Sequence, residues 1–159
     1  MKPDRKGEPD QRLADFLPYQ LSIASNAVSS RIARLYRSRF GLSTLEWRVM
    51  AVLGDGGAMS QRDLARRTLM EKVPVSRACK ALEDKGLVAR RPNDRDGRSH
   101  LLGLSGEGQA VHDKIMPLAR RAEAELFAAL DSRDRDELRR LLNLLRIAAE
   151  SFDQNSLAD

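Results

Sequence analysis

The stretch LEDKGLVARRPNDRDGRSHLLGLSGEG, residues 82–108, changes character twice. A helical pattern ends at Gly86, and two short runs typical of β-strands follow, at 87–91 and 100–104. The polar segment between these runs has the composition of a hairpin loop. Ser105, with Gly108 three residues later, has the spacing of a cap that starts a new helix. The stretch therefore predicts a β-hairpin inserted between two helices.

Helical periodicity extends outward from the hairpin in both directions. Ser43 and Glu46 form a predicted capping box, and Ser60 is a predicted cap for a short third helix. The order of helix, helix, turn, helix and hairpin is that of a winged helix-turn-helix. The predicted helices cover residues 13–40, 44–53, 61–68, 72–85, 106–130 and a last segment that starts after Asp131 or Ser132.

The expected fold is mainly α with a small β-hairpin wing. The first and last helices are too apolar to stand alone, so we expect each to pair with a second copy of the chain. Composition and pattern divide the chain into a disordered tail at 1–12, a helical dimerisation region at 13–42 and 106–152, a winged helix-turn-helix domain at 43–105, and a C-terminal tail at 153–159.

Positive charge is concentrated in one part of the chain. The 159 residues carry a formal charge of +5, and residues 60–98 hold 11 Lys and Arg against 6 Asp and Glu. The remaining residues balance to zero, so the excess belongs to the predicted helix-turn-helix and wing. A neutral body with one basic module favours a polyanionic partner, most often nucleic acid. The alternative is a solvated, arginine-rich surface.

Composition also excludes several classes of protein. No apolar run of about 18 residues is present, so we expect no membrane span. The polar N-terminus lacks a signal-peptide core, and a single cysteine fits a reducing compartment; both indicate a cytoplasmic protein. The motifs of enzymes are absent, and two histidines without a cysteine cluster offer no metal site. We therefore expect no catalysis, no metal and no cofactor.

The fourth predicted helix has the two faces that DNA reading requires. Burial of its apolar stripe leaves a polar face that can reach base edges in a major groove, with Arg77 suited to guanine and Val73 or Pro74 to a thymine methyl. Arginines of the hairpin loop are long enough to enter a minor groove. The predicted DNA-binding residues are Ser60, Gln61, Val73, Pro74, Ser76, Arg77, Lys80, Arg95, Asp96 and Arg98.

The segments Asp96-Gly97-Arg98-Ser99 and Leu104-Ser105-Gly106-Glu107-Gly108 resemble the wing signature of MarR-type regulators, with Ser105 in place of threonine. Segments 73–77 and 82–88 resemble that family's recognition helix and its exit into the wing. The resemblance implies a homodimeric transcription factor, usually a repressor released by a small effector, on a pseudo-palindromic operator. It also implies that Arg98 enters the minor groove, that Asp96 orients an arginine through an ion pair, and that Arg95 meets the backbone.

The resemblance places a ligand site between the dimerisation helices and the winged domain. Aromatic residues are scarce, at 4%, yet three fall in this region. An aromatic or phenolic acid is the expected effector, or its coenzyme A thioester, whose phosphates Arg31, Arg34, Arg37 and Arg39 could meet. The alternative is that these residues are ordinary core and interface. The candidate effector residues are Phe16, Tyr19, Ser22, Asn26, Trp47, Met50, His112 and Met116.

Two other interpretations stay open. Cys79 could make the regulator redox-responsive, although its place on the apolar stripe of the fourth helix favours an inert thiol. A structural dimer that binds no DNA is the second, and it would leave the basic module unexplained.

Overall fold

The computed structural model of the chain describes residues 12–152. The predicted tails at 1–12 and 153–159, apart from Arg12, lie outside this range. A 3-10 turn at Leu13–Asp15 precedes six helices and one antiparallel hairpin in the described range, which confirms the mainly helical fold with a wing. In order they are α1 (Leu17–Phe40), α2 (Thr44–Gly56), α3 (Gln61–Thr68), α4 (Lys72–Asp84), β1 (Val88–Pro92), β2 (His100–Leu104), α5 (Gly106–Leu126) and α6 (Ser132–Glu150).

Three helix ends differ from the sequence expectation. α2 continues to Gly56 rather than ending at residue 53, because the N–H of Gly57 still donates to the carbonyl oxygen of Leu53 in the helical pattern. α1 begins at Leu17 rather than Leu13, because Pro18 lacks an N–H and is accommodated only in a first turn. α5 ends at Leu126 rather than near Leu130. The guanidinium of Arg135 donates to the carbonyl oxygens of Phe127 and Leu130, at 2.8 and 3.0 Å, and so stabilises a turn where the sequence pattern suggested more helix.

The predicted caps are present. Ser43 and Glu46 form the full capping box, with each side chain accepting from the other's backbone N–H at 3.2 and 3.0 Å. Ser60 accepts from the backbone N–H of Asp63 at the start of α3. Gly41 ends α1 in the left-handed conformation, with φ of 63°, which glycine adopts without steric cost. These local signals fix where the helices start and stop.

The hydrophobic core lies under α2, α3, α4 and the hairpin. Its completely enclosed side chains come from nearly every one of these elements, so no single helix stands alone. They are Leu42, Val49, Met50, Leu64, Val75, Cys79, Leu82, Leu102 and Ile115. The chain divides into two compact units after Arg120, within α5, and this core belongs to the first. The predicted domain ranges divide the chain by expected role, into dimerisation and DNA binding, and they stay a prediction.

The hairpin is paired both within itself and to the helical part. β1 and β2 run antiparallel with Val88 opposite Leu104 and Pro92 opposite His100. The backbone of Met59, in the α2–α3 connection, exchanges two hydrogen bonds with Leu102, at 2.9 and 2.8 Å. Leu102 and Val88 are buried in the core. The base of the wing is therefore anchored on both of its strands.

The residue Ser105 closes the hairpin at its base. Its hydroxyl donates to the carbonyl oxygen of Gly86 at 2.6 Å and accepts from the backbone N–H of Gly108 at 3.0 Å. Its own N–H donates to the carbonyl oxygen of Leu87 at 3.0 Å. The start of α5 consequently lies directly against the end of α4, and a Cβ at position 108 would overlap the Leu87 oxygen.

One buried charge ties three helices together. Glu46 of α2 is buried, and the ammonium of Lys85 contacts its carboxylate at 2.6 Å. The same ammonium donates to the carbonyl oxygen of Gly41 at 2.9 Å. Lys85 thus joins the end of α1, the start of α2 and the end of α4. The ammonium compensates the buried carboxylate, which would be costly to remove from water without a partner of opposite charge.

The contact at Gly108 gives a stability prediction. We expect Gly108→Ala to lower the free energy of unfolding by about 2–3 kcal/mol, because the added methyl forces α5 away from the backbone of Leu87. Alanine is otherwise the better helix former, so propensity alone predicts the opposite sign. Urea denaturation followed by circular dichroism measures the change.

A matched control lies two residues earlier. A Cβ at Gly106 would meet nothing within 4 Å, so Gly106→Ala is expected to be neutral or to stabilise by up to about 1 kcal/mol. Equal effects of the two substitutions would show that the Gly108 contact does not constrain the fold.

Candidate nucleic-acid interface

The helix α4 separates a buried stripe from an exposed polar face. Val75, Ala78, Cys79 and Leu82 are buried, as the spacing predicted. The opposite side, which we call the reading face, carries Val73, Ser76, Arg77 and Lys80, and all four are exposed. Pro74 lies beside them in the first turn, half-buried.

Charge on the reading face is available to a ligand. No ion pair within residues 12–152 engages the guanidinium of Arg77. Lys80 lies 3.6 Å from Asp84, but both side chains are mostly exposed, so the pair is weak and exchanges readily with solvent. A helix with this face outward can present donors to base edges and phosphates.

The turn between α3 and α4 has an uncommon backbone. Leu69 ends α3 with φ of 51°, and it is the one non-glycine residue with positive φ in the described chain. Its N–H reaches the carbonyl oxygens of the last turn of α3. This left-handed residue redirects the chain within three residues, so that α4 starts at Lys72 with the reading face outward.

The wing loop, residues 93–99, is held by its own hydrogen bonds. Asn93 and Ser99 pair through backbone and side chains, with Asn93 Nδ2 donating to Ser99 Oγ at 2.8 Å. Asn93 Oδ1 accepts from the backbone N–H of Arg95 at 3.1 Å, and Asp96 Oδ1 accepts likewise from Arg98 at 3.1 Å. The loop is thereby shaped without using either arginine side chain.

The resemblance implied that Asp96 orients an arginine through an ion pair, but the structure shows a different contact for its carboxylate. It forms no ion pair within the described residues and holds Arg98 by its backbone N–H instead. An Asx turn of this kind is the local bond that an aspartate two residues before its partner makes most easily. The guanidiniums of Arg95 and Arg98 therefore extend from the loop with no acidic partner in this range.

A groove of about 380 Å³ runs between the start of α3 and the wing loop. Ser60, Gln61, Asp96 and Arg98 of the predicted set line it, although the Ser60 hydroxyl also bonds the Asp63 carboxylate at 2.8 Å. The helix start and the polar loop are each visible in the sequence, but their meeting in one groove is a long-range event. Lining residues outside the predicted set are Arg62, Asp63, Arg90, Asn93, Ser99, His100 and Leu102.

A second cavity, which we call the cleft, lies between α2 and α5 and has a volume of about 480 Å³. His112 lines it and stacks on Trp47, with ring centroids 5.7 Å apart and planes at 30°. Trp47 in turn meets Tyr36 at 5.8 Å. The imidazole fits because position 54 is glycine; a Cβ there would overlap the ring. The hydrogen bond from His112 Nδ1 lowers the pKa of the Asp113 carboxyl.

The predicted effector residues fall into three groups. His112 and Met116 line the cleft, and Trp47 supports His112 from behind. Met50 is wholly enclosed in the core. The remaining four, Phe16, Tyr19, Ser22 and Asn26, are exposed in the first part of the chain and line neither cavity described here.

The residue Arg120 was missed in the predicted set. It lines the cleft together with Ala51, Asp55, Asp113 and Pro117. The sequence did carry a signal, because positions 112, 116 and 120 recur every four residues and so share one face of a helix. Arg120, at the end of this face, gives the cleft a cation beside the carboxylates of Asp55 and Asp113.

The single cysteine is poorly placed for redox chemistry. Cys79 is completely enclosed in the core, and burial raises the pKa of its thiol to about 11. Glu83 adds to the increase by its negative charge. At neutral pH the thiol is protonated and has no path to an oxidant, so it is chemically inert.

Two further features are absent from the part of the chain that the structure describes. Between residues 12 and 152, no cluster of three or more His, Cys, Asp or Glu side chains could hold a metal ion. In the same range, no helix combines the length and the hydropathy that crossing a membrane requires.

A helix-turn-helix followed by an anchored wing, with an outward polar helix and free arginines at the wing tip, is the architecture of a winged-helix DNA-binding protein. Sequence comparison agrees: the MarR family pattern matches residues 40–99. An HTH-type transcriptional regulator of Mycobacterium bovis is 31% identical over 140 residues, which are 86% of this chain and 92% of the relative.

Two further relatives extend the comparison. The homoprotocatechuate degradative operon repressor of Escherichia coli is 26% identical over 65% of this chain and 70% of its own. A MarR family transcriptional regulator from Silicibacter pomeroyi, of known crystal structure, is 32% identical to this chain. The match covers 86% of this chain and 99% of the regulator, and the two structures superpose with a TM-score of 0.72. The chain belongs to the MarR family of transcriptional regulators, which are generally not enzymes.

Burial of Cys79 gives a prediction about thiol reactivity. We expect iodoacetamide at pH 8 to leave the native protein unlabelled, because the thiol stays protonated well below its raised pKa of about 11. The chain unfolded in urea should be labelled fully under the same conditions. Mass spectrometry measures both, and labelling of the native protein at the unfolded rate would contradict an inert thiol.

Proposed function

We propose that this regulator reads DNA by placing α4 in a major groove and the wing arginines in the adjacent minor groove. The observation that carries the proposal is the reading face: Arg77 is exposed and free of any described ion pair on a helix whose other side is completely buried. Arg95 and Arg98 extend from a wing loop that its own backbone bonds keep in shape. The two kinds of contact would be made by one rigid domain.

The full set of proposed DNA contacts keeps the sequence prediction. Ser76, Lys80 and Val73 surround Arg77 on the reading face, and Pro74 lies in its first turn. Ser60 and Gln61 line the groove beside the wing, where the DNA backbone would pass. Asp96 would act through the Arg98 backbone. Such a regulator works at the chromosome and therefore in the cytoplasm.

We further propose that the protein is a homodimer. α1 exposes Leu17, Leu21 and Ile23, and α6 exposes a series of leucines at 141, 142, 144 and 145. Apolar surface of this extent is unfavourable in water, and a second copy would cover it. Two copies would present two reading faces to a pseudo-palindromic operator, with half-sites about 10 bp apart.

The regulator is proposed to act as a repressor that a small aromatic or phenolic acid releases. The cleft supports this, because its lining combines the His112 ring, backed by Trp47, with the cation of Arg120. The name of the E. coli relative associates that repressor with an aromatic acid. A ligand wedged beside α5 would favour a dimer shape whose reading helices no longer match successive grooves.

A coenzyme A thioester is the second form that the effector could take. The exposed arginines at 31, 34, 37 and 39 of α1 are suited to its phosphates. A free acid, by contrast, needs only one cation for its carboxylate, and the cleft supplies Arg120. Binding measurements with the free acid and with its thioester show which of the two the protein prefers.

The DNA contacts can be tested with a duplex that the wild-type protein selects from a random-sequence pool. We expect Arg77→Ala to weaken binding by about 1–3 kcal/mol and to relax preference at one or two base pairs. Arg98→Ala should weaken binding without lowering the melting temperature. Wild-type affinity should fall linearly on a log scale with salt, since phosphates release counterions. Fluorescence anisotropy measures the affinities and their salt dependence, and thermal denaturation measures the melting temperature.

The matched control for both variants is Arg133→Ala, which removes one exposed arginine from α6. It should leave affinity nearly unchanged. An equal loss in all three variants would show that total charge, rather than the proposed contacts, determines binding.

The effector proposal can be tested through Trp47, the single tryptophan of the chain. Homoprotocatechuate, 4-hydroxybenzoate and their thioesters should change its emission on binding and release the selected duplex. Arg120→Gln should weaken binding of a free acid about tenfold or more, because a charge-assisted bond is lost. Arg121→Gln, next along the helix and outside the cleft lining, is the control. Unchanged emission with every compound would contradict the proposal.

A further inference from the structure

Glu83 near the end of α4 and Arg90 on β1 form a two-bond ion pair. Arg90 Nε donates to Glu83 Oε1 at 2.8 Å, and Arg90 Nη2 donates to Oε2 at 3.2 Å. The Glu83 side chain is 25% exposed and that of Arg90 43%. The hydrogen bonds that Arg90 donates to this carboxylate raise the pKa of its guanidinium. A fork-to-fork pair of this kind fixes orientation as well as distance.

The pair bridges the two elements that would carry the DNA contacts. It is the one ion pair between α4 and the hairpin in the part of the chain that the structure describes. The covalent link between them passes through Gly86, whose φ is 72°. Buried Leu87 and Val88 hold the base of the hairpin, and the Glu83–Arg90 pair adds a bond farther along β1. Tilting of the wing against α4 would have to break that bond.

We propose that Glu83 and Arg90 are positioning residues that fix the distance between Arg77 in the major groove and Arg98 in the minor groove. This inference rests on the proposed mode of DNA reading. Arg90 lines the groove beside α3, so the rival role for it is a direct phosphate contact. Its two bonds to Glu83 oppose that role, because the carboxylate engages Nε and Nη2 and offsets the positive charge that a phosphate would meet.

The two roles predict opposite signs for one substitution. Glu83→Gln removes a negative charge from a surface that would face DNA and leaves Arg90 with its full charge. If Arg90 contacts phosphate, affinity for DNA should increase. If the pair sets the position of the wing, affinity should fall, because the neutral amide holds the guanidinium less firmly and the wing can tilt.

The test uses the full-length protein and the duplex that the wild type selects from a random-sequence pool. We expect Glu83→Gln and Arg90→Lys each to weaken binding about 3- to 30-fold, since each loses the two-bond geometry. The double variant should bind no more weakly than the weaker single variant. Melting temperatures identify any variant that has lost its fold, and Arg90→Lys keeps the charge if Glu83→Gln is unstable.

A matched control lies on α6. Glu137 and Arg140 form the same two-bond geometry, at 2.8 and 2.6 Å, outside the winged module. Glu137→Gln changes the charge by the same amount, and it should leave affinity unchanged or slightly higher. An equal loss in Glu137→Gln would show that the effect of Glu83→Gln does not come from the wing.

A second readout separates positioning from general stability. Inserting one base pair between the major-groove and minor-groove contacts, as mapped by footprinting, lengthens the site by about 3.4 Å. The wild type should lose much of its affinity for this duplex, whereas Glu83→Gln should lose less, because its wing can adjust. An unchanged insertion penalty, or unchanged or tighter binding by Glu83→Gln, would overturn the inference. A wild type that selects no duplex would instead overturn the proposed mode of reading itself, and the inference with it.

Discussion

The hydroxyl of Ser105 joins the end of one helix to the start of the next. It bonds the carbonyl of Gly86 and the N–H of Gly108, while its backbone bonds Leu87. These bonds bring the chain back, after the hairpin, to the residues that precede the hairpin. Both ends of the wing are therefore fastened together at its base. α5 can approach this closely only because position 108 has no side chain. Both the direction of the wing and the path of α5 depend on this one crossing.

Function follows from how this closure combines with other anchors. The Met59–Leu102 bridge fastens the second strand to the α2–α3 connection, and the buried stripe of α4 fastens the proposed reading helix to the same core. Helix and wing are thus parts of one body rather than two flexible arms. The cleft is connected to the same core through α2, because Gly54 of α2 leaves room for the His112 ring that lines the cleft. A ligand there would press on a helix that contributes to the core beneath α4.

The sequence was informative wherever the deciding interaction is local. The caps at Ser43, Ser60 and Ser105 each depend on residues three positions apart, and all three are present. The start of α1 and the end of α5 were misplaced because periodicity registers neither the missing N–H of Pro18 nor the side-chain bonds that Arg135 makes to the turn before α6. The groove lining and Arg120 required knowledge of which elements meet, which a single sequence does not contain. The role of Asp96 differed because a short backbone bond prevailed over the longer ion pair.

The bond between Glu46 and Lys85 has a consequence for descent. A glutamate left alone in this environment would keep only its capping bond from the Ser43 N–H, and a lysine left alone would keep only its bond to the carbonyl oxygen of Gly41. Neither residue can drift independently. Across relatives that share this arrangement, positions 46 and 85 should vary together, and a lineage that loses one must replace the other or supply a new cation from a neighbouring helix. Covariation at these two positions would therefore trace how long α2 and the end of α4 have been inherited with this contact.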